Sequence, residues 1–186
     1  WESCNPTIHC VAKTAKLQKL TNTTFYFGDE RCVPPDHTEG NYSMAMRTLF
    51  TDGVPNNCKI HRMQADKEYL ETVAKEYEVL LPNNIHILLL GIGEDGHMAS
   101  LFPNTSQLHE KKRRCLPITG PKPPCERLTV TLPVLTSAET TYILVSDRSK
   151  KVSSAKEIIV EQSKLQPTDI NSLPIQMVKN PVWCFS

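Results

Sequence analysis

Residues 85–103 read IHILLLGIGEDGHMASLFP and contain the feature that decides the fold. The run from Ile85 to Leu90 is almost continuously apolar, which is typical of a strand covered on both faces in a parallel sheet. Gly91, Gly93 and Gly96 follow this run, so the backbone can turn sharply and approach a ligand without side-chain obstruction. We therefore predict a buried strand that ends in a functional turn.

Strands and helices alternate along the rest of the sequence. Short β-branched and aromatic runs predict further strands at 23–27, 59–63, 114–118, 127–131, 140–145 and 181–185. Apolar spacing predicts helices at 41–50, 67–81 and 149–160. The charged residues 29–31 are expected in a loop after the first strand. This alternation predicts an α/β fold of three layers, with a doubly wound, mostly parallel, Rossmann-like sheet and helices on both faces.

Length and composition predict one globular domain over residues 1–186. The 186 residues are 39% hydrophobic and 22% charged, with a net charge of +1, values typical of an ordinary globular protein. No apolar run is long enough to cross a bilayer, and the first residues lack the pattern of an export signal, so we expect a cytoplasmic protein without membrane contacts. The seven cysteines include no Cys-x-x-Cys pair, which predicts reduced, mostly buried thiols and no metal site.

The candidate catalytic residue of the glycine turn is His97. At the edge of the sheet it would have Asp95 or Glu94 close enough to orient it, and an imidazole suits proton transfer in both directions near neutral pH. One alternative is a tight strand-to-helix connection without a catalytic role. Dinucleotide binding is a second alternative, because the spacing fits G-x-G-x-x-G, but no acidic residue ends an evident second strand.

Two long segments resemble the signatures of one enzyme family. GIGEDGHMASLFP (91–103) is similar to a signature of the 6-phosphogluconolactonases, and FGDERCVPPDHTEGNY (27–42) resembles their second signature. KPPCERLTVTLPVL (122–135) and LPIQMVKNPVWCFS (173–186) match two weaker patterns of the family. The resemblance implies the fold of the glucosamine-6-phosphate isomerase/6-phosphogluconolactonase superfamily, the NagB-type fold.

The same resemblance implies an activity and a set of site residues. The implied reaction is hydrolysis of 6-phospho-D-glucono-1,5-lactone to 6-phosphogluconate in the oxidative pentose phosphate pathway, with His97 as the general base. The other implied site residues are Asp29, Asp95, Arg31, Arg127 and Lys150. The partner would be a small phosphorylated sugar lactone, with no cofactor, metal or nucleic acid, and we expect a monomer or a weak homodimer.

Residue chemistry is compatible with phosphate binding at these cations. Arg31 and Arg127 can offer paired N–H donors to a phosphate, and Lys150, preferred over the adjacent lysine, can add a point charge. Each of the three cations could instead be a surface side chain that binds no ligand. For Arg31 that alternative is a salt bridge with Asp29 or Glu30.

Three further features have both a functional and a structural interpretation. Asn41 and His37 flank a helix start, where they either line an anion pocket or cap the helix. Gly93 is included among the binding residues because its backbone can approach a ligand closely. The basic run 111–114 lacks interleaved aromatic residues, so an exposed loop is favoured over nucleic-acid binding.

The proposed chemistry follows from a neutral imidazole. His97 would take a proton from water as the water attacks the lactone carbonyl, and the resulting imidazolium would protonate the ring oxygen as the C–O bond breaks. Asp95 would stabilise the imidazolium. Backbone N–H groups of the glycine turn could hold the oxyanion.

Two rival functions and one missing feature accompany this hypothesis. Glucosamine-6-phosphate deaminases have a similar glycine turn, but continue to a Phe-Asn-Glu-Pro segment, whereas this chain reads ASLFP at 99–103. A non-catalytic sugar-phosphate-binding homologue is the other rival. Residues 1–22 contain no glycine, so we expect that the chain lacks the family's N-terminal strand and glycine-rich loop.

Overall fold

The structure is a computed structural model, and it describes residues 17–145 and 174–185. The predicted helix 149–160 and the candidate Lys150 lie outside the described residues. The strands are β1 (Thr24–Tyr26), β2 (Asp29–Arg31), β3 (Lys59–His61), β4 (Ile85–Gly91), β5 (Cys115–Thr119), β6 (Glu126–Val130), β7 (Ala138–Val145) and β8 (Val182–Phe185). The α-helices are α1 (Asn41–Thr48), α2 (Leu70–Leu80) and the short α3 (Leu132–Leu135), which was not predicted.

Parallel strand pairs form the main sheets. β1 pairs with β3, and β4, β7 and β8 pair in that order, all in parallel. Helix α1 lies between β1 and β3 in the chain, and α2 lies between β3 and β4. Parallel neighbours need crossover connections of this kind, so the α/β fold predicted from the alternation is confirmed.

Strand β2 corrects one prediction. Residues 29–31 were expected in a loop, but they pair antiparallel with β6, which also pairs antiparallel with β5. Three charged residues have low strand propensity, and here the pairing partner overrides that propensity. The consequence is that Arg31 lies directly opposite Arg127, and Asp29 opposite Thr129.

The apolar strand β4 is covered less fully than predicted. Leu90 is buried and Leu88 packs against the core, whereas Ile87 and Leu89 are exposed. Alternate side chains of a strand point to opposite faces, so these two pairs occupy different faces of the sheet. The prediction that both faces of this strand are covered is therefore wrong for the described residues.

Helix α2 contributes an amphipathic face to the core. It begins at Leu70 rather than at residue 67, and it buries Val73, Ala74 and Tyr77. The Tyr77 hydroxyl accepts a hydrogen bond from the Phe27 N–H at 2.8 Å and lies 3.0 Å from the Phe27 carbonyl, to which it can donate. Burial raises the pKa of this hydroxyl. The helix thus anchors Phe27, which follows β1 and lies two residues before Asp29.

The basic run 111–114 is only partly an exposed loop. Arg113 donates to the carboxylates of Glu78 and Glu71, each at 2.6 Å, and Arg114 donates to the Leu81 and Pro82 carbonyls. These contacts attach the segment before β5 to the end of α2. Two of the four basic side chains are therefore used to hold the fold together.

The cysteine prediction was correct in one respect and wrong in another. The five cysteines of the described ranges are all free thiols. Cys115 is buried and its pKa is raised to about 12 by that burial, but Cys125 is exposed and the other three are half-buried. The expectation of mostly buried thiols is wrong for this part of the chain.

We predict that Tyr77→Phe lowers the free energy of unfolding by about 1–3 kcal/mol, because it leaves the part-buried Phe27 N–H without its acceptor. Urea unfolding measures the change. Tyr69→Phe is the matched control, since Tyr69 is 71% exposed and Tyr77 is 2% exposed. Equal stabilities of the two variants would contradict the assigned role of the hydroxyl.

Candidate active site

The turn after β4 closes underneath the imidazole of His97. The Gly93 N–H donates to the His97 carbonyl at 2.9 Å, and the Gly96 N–H donates to the Gly93 carbonyl at 3.1 Å. Gly96 has a φ of 76°, a conformation that glycine adopts without strain. A Cβ at Gly93 would lie 2.0 Å from Nδ1 of His97, so only glycine leaves room for the ring.

Asp95 is the carboxylate that orients His97. Its Oδ1 lies 2.5 Å from Nδ1 of His97 and also accepts the His97 N–H at 3.2 Å, while Glu94 is exposed. Burial favours the neutral form of Asp95, but the hydrogen bonds and charge of His97 outweigh that effect and lower its pKa to about 2. An ionised Asp95 keeps the proton on Nδ1, so Nε2 is the nitrogen left to accept a proton.

A second carboxylate, Asp29, is buried below the surface of the site. Asp29 is 2% exposed, and it accepts hydrogen bonds from Asn41 Nδ2 at 2.9 Å and from Ser100 Oγ at 2.7 Å. Asn41 Nδ2 also donates to the Asp29 carbonyl at 2.8 Å. Asn41 therefore holds Asp29 and does not cap the helix with its side chain. This placement favours an organising role for Asp29 over direct contact with a substrate.

Arg31 and Arg127 form a pair of like charges on neighbouring strands. Arg127 donates to the carbonyls of Lys122 and Pro124, each at 3.0 Å, and lies 3.4 Å from Ser100 Oγ. Burial disfavours its charge, and the charge of Arg31 adds to this effect, so the pKa of Arg127 lies below its ordinary value. Like charges directly opposite each other in a sheet are destabilising. An anion bound between them would remove that cost.

Arg31 has unused donors that suit such an anion. Its Nη1 donates to the Glu39 carbonyl, but its Nε is buried without a hydrogen-bond partner among the described residues. The alternative of a salt bridge from Arg31 to Asp29 or Glu30 is not among the ion pairs of residues 17–145 and 174–185. Arg31 is also more accessible than Arg127, which is buried.

Glu30 caps helix α1, a role that the sequence pattern did not predict. Its carboxylate accepts the N–H groups of Arg31, Asn41 and Tyr42 at 2.7–2.8 Å, and so supplies the cap that Gly40 cannot give to α1. Burial raises the pKa of Glu30 although these three donors favour its charged form. Helix caps are normally sought within four residues of the helix start, and Glu30 lies eleven residues before Asn41.

Phe102 is a second residue that was not singled out from the sequence. Its buried ring lies with its centroid 4.7 Å from that of His97, and the Arg127 Cζ lies 5.6 Å from the Phe102 centroid. It therefore contacts both the proposed base and one of the proposed anion-binding cations.

The remaining candidates are less central. His37 is exposed, and its Nδ1 accepts the Glu39 N–H at 3.2 Å. The N–H groups of Gly93 and Gly96 are used within the turn, which removes them as oxyanion donors and makes Gly93 a support for His97.

No group of three or more His, Cys, Asp or Glu residues in the described ranges is placed to hold a metal ion. No described helix is long and apolar enough to span a membrane.

We predict that Gly93→Ala displaces the imidazole, because the added Cβ would lie 2.2 Å from Cε1 of His97 and 2.7 Å from Oδ1 of Asp95. The strongly downfield Nδ1–H signal expected for the His97–Asp95 hydrogen bond should be lost from the proton NMR spectrum. Gly28→Ala is the control, since its nearest new contact would be 3.8 Å from Ala99 Cβ. Retention of that signal in Gly93→Ala would show that the turn does not position the ring.

Comparison with known proteins places this chain in a family. Residues 4–183 match the profile described as glucosamine-6-phosphate isomerases/6-phosphogluconolactonase. The chain is 33% identical over 169 residues to the human 6-phosphogluconolactonase, covering 86% of this chain and 62% of the human protein. The chain thus spans less than two thirds of that relative's length.

Solved structures with this fold include enzymes of two different activities. The 6-phosphogluconolactonase from Thermotoga maritima has a TM-score of 0.74 at 21% identity, covering 98% of this chain and 79% of that one. A monomeric glucosamine-6-phosphate deaminase also has a TM-score of 0.74, at 18% identity, covering 97% of this chain and 80% of that one. The fold alone therefore does not separate the two activities, and the site residues must do so.

Proposed function

The chain belongs to the family of glucosamine-6-phosphate isomerases and 6-phosphogluconolactonases, and on that premise we propose that it hydrolyses 6-phospho-D-glucono-1,5-lactone to 6-phosphogluconate. The observation that carries the proposal is the partly exposed His97, hydrogen-bonded to an ionised Asp95 and linked through the Phe102 ring to the Arg31 and Arg127 pair. A base next to an anion site suits a substrate with an ester carbonyl and a phosphate.

The reaction uses one imidazole in both of its steps. Nε2 of His97 takes a proton from a water molecule while the water oxygen forms its bond to the lactone carbonyl carbon. The imidazolium is stabilised by Asp95, and it then returns a proton to the ring oxygen as the C–O bond breaks. The products are a carboxylic acid and a free hydroxyl, and no cofactor or metal enters this sequence.

The phosphate is held by cations whose donors are only partly used. A guanidinium has five N–H donors. Arg127 uses three of them on Lys122, Pro124 and Ser100, and the resulting fixed orientation leaves two for a ligand. Arg31 is half-buried and uses Nη1 on the Glu39 carbonyl, and the other N–H donors at the end of its guanidinium would bind the phosphate. Lys150 remains a proposed further contact, as the resemblance implied.

The segment after His97 favours the lactonase over the deaminase. The segment 99–103 contains no carboxylate, whereas the resembling deaminases have a glutamate in the corresponding segment. In those deaminases the glutamate directly precedes a proline, and in this chain the residue before Pro103 is Phe102. Asp95 therefore remains the one carboxylate in contact with His97 among the described residues.

We predict that His97→Ala lowers kcat for lactone hydrolysis by about 10²–10⁴-fold, which is the usual contribution of a general base. Binding of inorganic phosphate should change little, because the arginines remain. Hydrolysis is measured above the spontaneous rate, and His86→Ala, an exposed histidine on β4, is the control.

Three other results would replace the proposal. Wild-type rates in His97→Ala would exclude this residue as the base. Ammonia release from glucosamine 6-phosphate by the unaltered chain would identify a deaminase. Binding of the phosphorylated sugar without turnover would identify a non-catalytic homologue.

A further inference from the structure

The Phe102 ring occupies the space between two groups that the proposed reaction needs. Phe102 is 4% exposed, its plane is tilted by 43° to the imidazole of His97, and the Arg127 guanidinium lies over the same ring. An aromatic ring attracts a guanidinium electrostatically and packs well against an imidazole. Both contacts are therefore favourable, and one side chain makes them both.

The ring has little freedom to move. A Cβ at Gly120 would lie 2.9 Å from Cε2 of Phe102 and 3.2 Å from Nε of Arg127, so the backbone of Gly120 already closes this side. The Phe102 carbonyl accepts the Thr105 hydroxyl at 2.8 Å. Pro103 further restricts the backbone of the residue before it.

The two neighbours of the ring are each fixed on another side. Asp95 holds His97 through Nδ1, and the Lys122 and Pro124 carbonyls hold Arg127. A rigid spacer between two anchored groups determines their separation. Loss of the spacer would let the imidazole or the guanidinium shift into the vacated volume.

We propose that Phe102 is a positioning residue that sets the separation between His97 and Arg127 and thereby selects lactones that carry a phosphate. This inference rests on the proposed function. In such a substrate the carbonyl carbon and the carbon that bears the phosphorylated CH2 group are both bonded to the ring oxygen. The ring therefore limits the distance between carbonyl and phosphate, and one fixed separation lets both groups engage at once. An unphosphorylated lactone needs only the imidazole and gains nothing from the spacing.

The test compares Phe102→Leu with Phe50→Leu, the same change at a ring that is also 4% exposed but lies away from the site, against Phe25. Steady-state kinetics are measured with 6-phosphogluconolactone and with unphosphorylated gluconolactone. We expect kcat/KM for the phosphorylated lactone to fall about 10–100-fold in Phe102→Leu, since a displacement near 1 Å can cost about 10²-fold. The rate with the unphosphorylated lactone should change far less, and Phe50→Leu should keep the wild-type preference.

A second variant displaces the ring without removing it. Gly120→Ala should push Phe102 and Arg127 apart and reduce the same preference, whereas Gly28→Ala, with only an ordinary contact at 3.8 Å, should not. Urea unfolding of all four variants shows whether they are folded, and Gly120→Ala decides the question if Phe102→Leu does not fold.

Binding supplies a readout that needs no turnover. Calorimetry compares the affinity for inorganic phosphate with the affinity for 6-phosphogluconate. The gain in affinity of 6-phosphogluconate over phosphate reports that both its phosphate and its carboxylate contact the protein. Phe102→Leu should keep the affinity for phosphate and lose most of that gain. If the wild-type chain hydrolyses the lactone and Phe102→Leu keeps the wild-type substrate preference, the spacer role is wrong and the proposed function stands. A wild-type chain without hydrolysis would instead overturn the proposed function.

Discussion

A 2.5 Å contact joins Oδ1 of Asp95 to Nδ1 of His97 two residues further along the same turn. This contact keeps Asp95 ionised, determines which ring nitrogen carries the proton, and leaves Nε2 as the basic atom. It is possible only because Gly93 has no side chain beneath the ring. The apolar strand β4 places the turn, and the turn places the imidazole of His97, so the proposed chemistry depends on a short segment of backbone.

Around this contact, buried polar groups connect segments that are distant in the sequence. Asp29 joins the segment after β1 to Ser100 after the glycine turn, and Arg127 from β6 lies beside Ser100. Glu30 attaches the start of α1 to β2. A buried carboxylate is costly unless its oxygens accept hydrogen bonds, and the Asp29 carboxylate accepts two and that of Glu30 three. The antiparallel pairing of β2 with β6 places the two arginines opposite each other.

Sequence patterns predicted most of the described elements and the turn that carries His97, but not these connections. The strand from Ile85 and the turn at His97 were predictable because local apolar runs and glycine spacing report local backbone structure. The antiparallel pairing of β2, the cap from Glu30 and the contacts of Phe102 arise between residues far apart in the chain. No local pattern encodes them, since their partners are chosen by tertiary packing. The exposed face of β4 was missed for a related reason, because a continuous apolar run does not show which face is covered.

The most direct measurement is a crystal structure of the chain with bound 6-phosphogluconate. The account predicts the phosphate within hydrogen-bond distance of the Arg31 and Arg127 guanidiniums, and the carboxylate of the ligand beside Nε2 of His97, with Asp95 still on Nδ1. A ligand whose phosphate lies away from both arginines, or a His97 ring whose Nε2 faces the protein interior, would contradict it.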